Sequence, residues 1–137
     1  MRYIIWITFL FMVAATAACG GGAAAGGSPR LALEEMTLAL GDVPNGKIVE
    51  REVTVRNEGD APLVVERITT SCGCTTAALE PMTIAPGASG VLTIAFDSGA
   101  HGPGLRGPIM RDVRLISNDP ALPEAVVAVT ANIGPPE

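Results

Sequence analysis

The chain has 137 residues and a formal net charge of −5 at pH 7, and 48% of its residues are hydrophobic but only 4% aromatic. This length suits one domain of ordinary size with a single core. The mildly acidic charge and the lack of any basic run argue against nucleic acid, or an anionic lipid surface, as the main partner.

Residues 1–18 have the layout of a secretory signal peptide. Arg2 supplies one positive charge, and the run from Tyr3 to Ala18 carries none. This run is shorter than the roughly 20 apolar residues of a membrane-spanning helix, and a glycine-rich stretch follows it. We therefore predict a signal peptide over residues 1–18 that is cleaved before Cys19.

The residues up to Cys19, TAAC, resemble a bacterial lipobox, in which small residues precede a cysteine that is acylated after cleavage. Thr16 stands where the pattern usually has Leu, and Ala15–Ala17 also fits an ordinary A-x-A cleavage site that would leave Cys19 unmodified. We expect lipid attachment at Cys19, including palmitate. Each buried CH₂ of an acyl chain contributes about 0.8 kcal/mol to membrane binding, so several chains would hold the protein firmly on a membrane. Gly20 favours sorting to an outer membrane.

The segment from the lipidated cysteine to Arg30, residues 19–30, is predicted to be a flexible linker. Its sequence GGGAAAGGSPR has neither hydrophobic period nor bulk, and a glycine-rich chain of this length spans on the order of 20 Å. A linker of this kind lifts a domain off a membrane surface.

Residues 31–137 alternate between apolar and polar side chains with a period of two, which indicates half-buried β-strands. In KIVEREVTVRNEG, Val49, Val53 and Val55 share one face, while the other face is polar. Further segments of this kind are LALEEMTLAL, PLVVERITT, SGVLTIAFDS, RDVRLIS and EAVVAVTANI. About seven short strands separated by turns predict an all-β, Ig-like sandwich, with a small barrel as the alternative.

Turn signals separate these segments. Ala85–Ala88, with Pro at the second position and Gly at the third, predicts a type II turn. The glycine-rich stretch 97–108 is expected to be a mobile loop between two late strands. In Ser117–Pro120, the Asn and Asp side chains are expected to bond a tight turn.

Three blocks resemble the bacterial domain-of-unknown-function family 1573. They are VRNEGDAPLVVERITTSCGCTTAAL, IAPGASGVLTIAFD and a late SNDP, in this order over roughly residues 31–133. The resemblance implies an Ig-like β-sandwich related to the major sperm protein fold and often carried by exported or lipid-anchored proteins. It implies no activity.

Cys72 and Cys74 are the only cysteines in the predicted domain. In an extended chain their Cα atoms lie about 6.5 Å apart on the same side, and disulfides usually need about 4.4 to 6.8 Å. Gly73 gives the backbone freedom to shorten the gap. An extracytoplasmic compartment favours a disulfide, but two buried packing thiols, coordination of Cu(I), and a redox or partner-linking role stay open.

A metal site would need further ligands, because structural zinc has four. The lone histidine, His101, is interpreted as a solvated residue of the glycine-rich loop, and nothing in the spacing brings it to the cysteines. The methionines are interpreted as core filling. Those that could offer thioethers to copper are Met36, Met82 and Met110. We therefore predict no resident metal and no cofactor.

Enzymatic patterns are weak. The C-x-C spacing differs from the C-x-x-C of thioredoxin-like proteins, and His101 in a glycine-rich loop is a poor base for a cysteine nucleophile. The acidic pairs Glu34–Glu35 and Glu50 with Glu52 are expected on solvated surfaces, and no phosphate-binding glycine loop occurs. We predict no catalytic residues and no small-molecule substrate.

These observations together predict a membrane-anchored extracytoplasmic lipoprotein whose Ig-like module binds an unidentified protein or assists envelope assembly. Its expected location is the bacterial cell envelope, on the periplasmic face of the outer membrane or at the cell surface. The alternative is a thiol-based copper-binding or redox protein that uses Cys72 and Cys74.

Overall fold

The computed structural model describes residues 26–137, which form nine β-strands. The strands are β1 (Leu31–Leu33), β2 (Thr37–Pro44), β3 (Ile48–Asn57), β4 (Leu63–Thr70), β5 (Thr75–Glu80), β6 (Thr83–Ile84), β7 (Ser89–Asp97), β8 (Gly107–Ser117) and β9 (Glu124–Gly134). No helix long and apolar enough to cross a membrane occurs within residues 26–137. The predicted signal peptide, 1–18, and Cys19 lie outside the described residues.

The strands form two sheets, with the orders β1-β3-β7-β5 and β2-β9-β8-β4-β6. All neighbours are antiparallel except β2 and β9, which run parallel. The chain crosses from one sheet to the other at every connection between consecutive strands except β8–β9. Because such strand switches make the corners of sandwiches, the single predicted strand LALEEMTLAL is divided into β1 and β2.

The core lies between the sheets, as the alternation predicted. Val53 and Val55 of β3 are 2% and 0% exposed, whereas Glu50 and Glu52 on the opposite face are exposed. Phe96 is buried in a second cluster at one end of the sandwich, which also contains Cys74. Phe96, the one aromatic residue of the domain, therefore lies in the same cluster as Cys74.

The predicted turns are present. Ala88 donates its N–H to the Ala85 carbonyl at 3.0 Å, and Gly87 has a φ of 74°, as a type II turn requires. The side chain of Asn118 is hydrogen-bonded to β4: its Oδ1 accepts from Val64 N–H at 2.9 Å. The side chains of the SNDP turn thus connect distant segments as well as closing the turn.

Asp119 is the buried acid of this turn. Its Oδ1 accepts from the N–H groups of Ala121 and Leu122, and its Oδ2 accepts from Leu31 N–H at 2.7 Å. Burial alone raises the pKa of Asp119, but these backbone hydrogen bonds and the charge of Arg30 outweigh it, so the pKa lies below its ordinary value. The ionised carboxylate fixes the start of β1.

Residues 28–30 belong to the predicted linker, but in the structure hydrogen bonds attach them to the domain. Ser28 N–H donates to Asp60 Oδ1 at 2.8 Å, and Glu58 N–H donates to the Arg30 carbonyl at 2.8 Å. Arg30 N–H also donates to Asn57 Oδ1. The folded unit therefore begins at Ser28.

Candidate functional site

The two cysteines lie in the short connection between β4 and β5. Their sulfurs form a disulfide, and their Cα atoms are 5.1 Å apart, closer than the roughly 6.5 Å of an extended strand. The connection is a tight turn in which Thr75 N–H donates to the Cys72 carbonyl at 3.2 Å. Gly73 has no positive φ, and an added Cβ there meets no atom within 4 Å, so the turn does not require glycine.

The two sulfur-bearing residues differ in burial. Cys74 is 3% exposed and packs in the cluster that contains Phe96 and Ile133. Cys72 is half-buried and lies at the margin of this cluster. A molecule in solution therefore reaches the disulfide from the side of Cys72.

His101 contacts this pair, which the sequence spacing did not reveal. Its ring is exposed, as expected for a loop residue, but Nε2 lies 3.1 Å from Cys72 Sγ. The expectation that nothing brings His101 to the cysteines is therefore wrong. The backbone N–H of Cys74 also points at this sulfur, at 3.1 Å.

Asn45 holds the loop that carries His101. Nδ2 of its buried side chain lies 3.0 to 3.2 Å from the carbonyl oxygens of Ser98, Gly102 and Leu105, so its two hydrogens are shared among three acceptors. These contacts attach both sides of the glycine-rich loop to the residue that follows β2. No signal in the sequence marks Asn45, because its partners are main-chain atoms more than fifty residues away.

The donor set around the pair is two sulfurs and one imidazole nitrogen, which lie within 4.8 Å of one another. The methionines do not join it. Met36 lines a groove beside β1, and Met110 lines another on the outer face of β2, β9 and β8. Interpreting the methionines as core filling is wrong, because Met36, Met82 and Met110 are 67%, 37% and 61% exposed. In the disulfide form neither cysteine is a thiolate, so this form does not fit a soft metal ion.

A second feature is the free edge of β5, which begins directly after Cys74. The strand pairs with β7 over six residues without a register shift. Asp97 N–H donates to the Cys74 carbonyl, so by the antiparallel alternation Thr76 and Ala78 bond β7, while Ala77 and Leu79 turn their N–H and C=O groups outward. Among the described residues, no backbone hydrogen bond outside the sheets involves Ala77 or Leu79.

The other sheet margins carry features that block pairing with another chain. β1 and β6 have only three and two residues, and β2 has a register shift between Ala39 and Asp42 and ends in Pro44. The parts of β3 and β4 that extend past their short neighbours are charged. Those charged residues are Glu50, Arg51, Glu52, Glu66 and Arg67. β5 differs from these margins because it is six residues long, has no register shift, lysine or proline, and carries its only charged residue, Glu80, at its last position.

The sequence pattern predicted no strand at the position of β5. Its residues TTAALE alternate only weakly in hydrophobicity, although Leu79 is buried and Thr76 and Ala78 are exposed. On the outer face, the small side chains of Thr76, Ala78 and Ala95 line a shallow hollow with Glu50 at its rim. The edge is thus both unpaired and sterically open.

Two packed sheets, between which the chain crosses at nearly every connection, form an Ig-like β-sandwich. The chain belongs to the family described as protein of unknown function (DUF1573), whose profile matches residues 31–133. This membership establishes the domain family that the three sequence blocks indicated, and it assigns no activity.

Solved structures share this fold. A protein of unknown function from Porphyromonas gingivalis W83 is 28% identical with a TM-score of 0.66, and the match covers 76% of this chain and 46% of that chain, so this chain spans about half of that protein. The ASH/PapD-like domain of human CEP192 is 11% identical with a TM-score of 0.55, and the match covers 80% of this chain and 89% of that domain. The YadV chaperone is 13% identical with a TM-score of 0.54, and the match covers 75% of this chain and 51% of the chaperone. The last two show the fold alone. No curated protein matches the sequence.

Proposed function

We propose that this protein is a membrane-anchored extracytoplasmic module that binds an extended segment of a partner protein along β5, without catalysis. Its proposed location is the bacterial cell envelope, on the periplasmic face of the outer membrane or at the cell surface. The observation that carries the proposal is the unprotected edge of β5 among margins that are short, bulged or charged.

An incoming strand would use the outward backbone groups of β5. The N–H and C=O groups of Ala77 and Leu79 offer up to four hydrogen bonds, each with a net worth of about 1 kcal/mol. Association costs at least about 4 kcal/mol, so backbone pairing alone gives weak binding. The hollow at Thr76 and Ala78 gives partner side chains the room to add affinity and specificity.

The N-terminal segment supports the anchored part of the proposal. Acyl chains on Cys19 would hold the chain at a membrane, and the glycine-rich stretch up to Gly27 would separate the domain from it. Ser28, the first residue bonded to the domain, fixes the other end of this linker. Intact mass spectrometry of the protein from its native membrane fraction tests the anchor. An acylated product that begins at Cys19 is expected, and an unacylated or unprocessed chain would contradict it.

The absence of catalysis is proposed from the chemistry of the described side chains. The acidic pairs Glu34–Glu35 and Glu50 with Glu52 are solvent-exposed. The cysteine nearest to a base, Cys72, is engaged in a disulfide and is therefore not a thiolate nucleophile in this form. The thiol-based alternative is favoured by one specific observation, the contact of His101 with Cys72.

Site-specific photo-crosslinking in cells tests binding at β5. A photoreactive residue is placed at Ala78, and the matched control carries it at Ala39, another exposed alanine on the outer face of an edge strand. We expect a discrete adduct with a different protein from position 78 and little or none from position 39. Equal adducts at both positions, no adduct at 78, or adducts only between copies of this chain would overturn the proposal.

A further inference from the structure

We propose that the Cys72–Cys74 disulfide is a thiol–disulfide exchange site that oxidises a dithiol of another protein, with Cys72 as the sulfur attacked. Three observations support this site: the unequal burial of the two cysteines, the two groups directed at Cys72 Sγ, and the bonds that hold His101 in place. The proposal is independent of binding at β5 and describes one stoichiometric exchange per chain, not catalytic turnover.

Accessibility selects the point of attack. Exchange requires a thiolate to approach one sulfur in line with the S–S bond, and the rate depends on which sulfur is reachable. Cys74 is 3% exposed and surrounded by apolar side chains, including Phe96, whereas Cys72 is half-buried at the surface. The incoming sulfur therefore bonds to Cys72.

The contacts at Cys72 favour its thiolate once the pair is reduced. Cys74 N–H lies 3.1 Å from Cys72 Sγ, and His101 Nε2 lies 3.1 Å from it on the loop anchored by Asn45. A thiolate gains from hydrogen bonds and from a neighbouring imidazolium. Within residues 26–137, Cys74 Sγ has a single polar side-chain contact, the Thr75 hydroxyl at 3.7 Å.

Other charged groups on the bordering strands have partners of their own. Asp97 of β7 accepts from Gly99 N–H through Oδ1, and Asp112 of β8 pairs with Arg114. Among the described residues, the cluster of potential ligand atoms at the pair includes no carboxylate. His101 is therefore the titratable side chain that acts on Cys72.

The exchange proceeds in two steps through a mixed disulfide. A partner thiolate attacks Cys72 Sγ, the Cys72–Cys74 bond breaks, and Cys74 leaves as a thiolate that takes a proton from water. The second partner thiol loses its proton and attacks the partner sulfur of the mixed disulfide, which expels Cys72 as a thiolate beside His101. Two electrons pass to the cysteine pair, and the partner dithiol becomes a disulfide.

The direction follows from the same contacts. Groups that stabilise the reduced form of a cysteine pair make that pair a stronger oxidant. The N–H of Cys74 and the imidazole of His101 stabilise the Cys72 thiolate, so reduction of this pair is favoured relative to a pair without them. The site therefore accepts electrons from the partner.

Exchange and alkylation of the full-length chain test the proposal. Trypsin cleavage after Arg67 and Arg106 separates Cys72 and Cys74 from Cys19, so mass spectrometry reads the pair alone. In an equimolar mixture with a reduced synthetic peptide that contains Cys-x-x-Cys, we expect peptide disulfide to form in step with reduction of the pair. In the reduced chain, Cys72 is expected to react with iodoacetamide at least about tenfold faster than Cys74 at pH 6.5. When the alkylation rate of Cys72 is plotted against pH, its midpoint is expected below the ordinary thiol pKa of about 8.5.

His101→Gln is the informative variant, and Arg106→Gln is its control. Both changes remove a basic side chain from the same loop, but Arg106 bonds only the carbonyl of its neighbour Leu105 among the described residues. We expect H101Q to raise the alkylation midpoint of Cys72 and to slow its alkylation at pH 6.5 by about tenfold, while R106Q leaves both unchanged.

Several outcomes would overturn the proposal. They are preferential alkylation of Cys74, equal effects of H101Q and R106Q, and a peptide that stays reduced in the equimolar mixture. A further outcome is that the reoxidised chain fails to oxidise the peptide, while the reduced chain binds one Cu(I) in a manner that depends on His101. This result would indicate a metal site instead of an exchange site. Circular dichroism of both variants separates a chemical effect from misfolding.

Discussion

Replacement of Asp119 by Asn is expected to destabilise the domain in a pH-dependent way. In the wild type, Oδ2 accepts from Leu31 N–H at 2.7 Å in a buried setting, while Oδ1 accepts from two further N–H groups. Asn retains one oxygen but presents an NH₂ group to Leu31, so two donors face each other. Loss of a buried hydrogen bond to a charged group costs about 2 kcal/mol.

The pH dependence follows from the direction of the shift. The folded-state pKa of Asp119 is below its ordinary value, so its ionisation stabilises the fold above the unfolded-state pKa of about 3.9, and this contribution is lost as the pH falls through the folded pKa. The free energy of unfolding of the wild type should therefore exceed that of D119N by about 2 kcal/mol at pH 7. This difference should shrink below about pH 4.

Urea unfolding at pH 7 and at several pH values below 4 provides the assay. Asp60→Asn is the matched control, because Asp60 also accepts a backbone N–H near the start of the domain, from Ser28, but is exposed. Its expected cost is about 0.5 kcal/mol or less. Equal costs for D119N and D60N at pH 7, or a D119N difference that stays constant in acid, would refute the reasoning.

Three further predictions concern the core, the turns and the loop. Leu92→Ala should cost about 2 to 5 kcal/mol in urea unfolding, because Leu92 is 0% exposed, while Val91→Ala on the same strand, 43% exposed, should cost far less; similar costs would contradict the two-sheet core. Gly87→Ala, at a φ of 74°, should cost about 1 to 2 kcal/mol, whereas Gly73→Ala should be nearly neutral and leave the disulfide intact; the reverse order would contradict the turn geometry. Asn45→Ala should remove the side-chain donor that the three loop carbonyls share and speed trypsin cleavage at Arg106 relative to Asn132→Ala, a control that loses an exposed bond to Asp42; equal cleavage rates would contradict the anchoring of the loop.

The sandwich was predictable because strong apolar residues alternate along its central strands. The apolar residues recur with a period of two on one face of each strand, as Val53 and Val55 do in β3 and Leu92 and Ile94 in β7. This pattern does not depend on how the side chains pack. β5 was not predictable in this way, since threonine and alanine give almost no contrast between its faces. The edge that carries the proposed function is therefore the part that the pattern describes least.

The site was predictable only in its local part. Cys72 and Cys74 are neighbours in sequence, so their approach follows from backbone geometry. His101 is 29 residues from Cys72, and its position depends on Asn45, whose three bonds go to main-chain carbonyls that any sequence provides. The exposure of methionines such as Met110 likewise depends on where the sheet faces solvent.

Amide hydrogen exchange of the free protein tests the open edge of β5 most directly. The N–H groups of Ala77 and Leu79 point away from β7, whereas those of Thr76 and Ala78 bond it. The account predicts rapid exchange at Ala77 and Leu79 together with strong protection at Thr76 and Ala78. Equal protection at all four amides would mean that the edge is already covered in the free protein, which would contradict binding along β5.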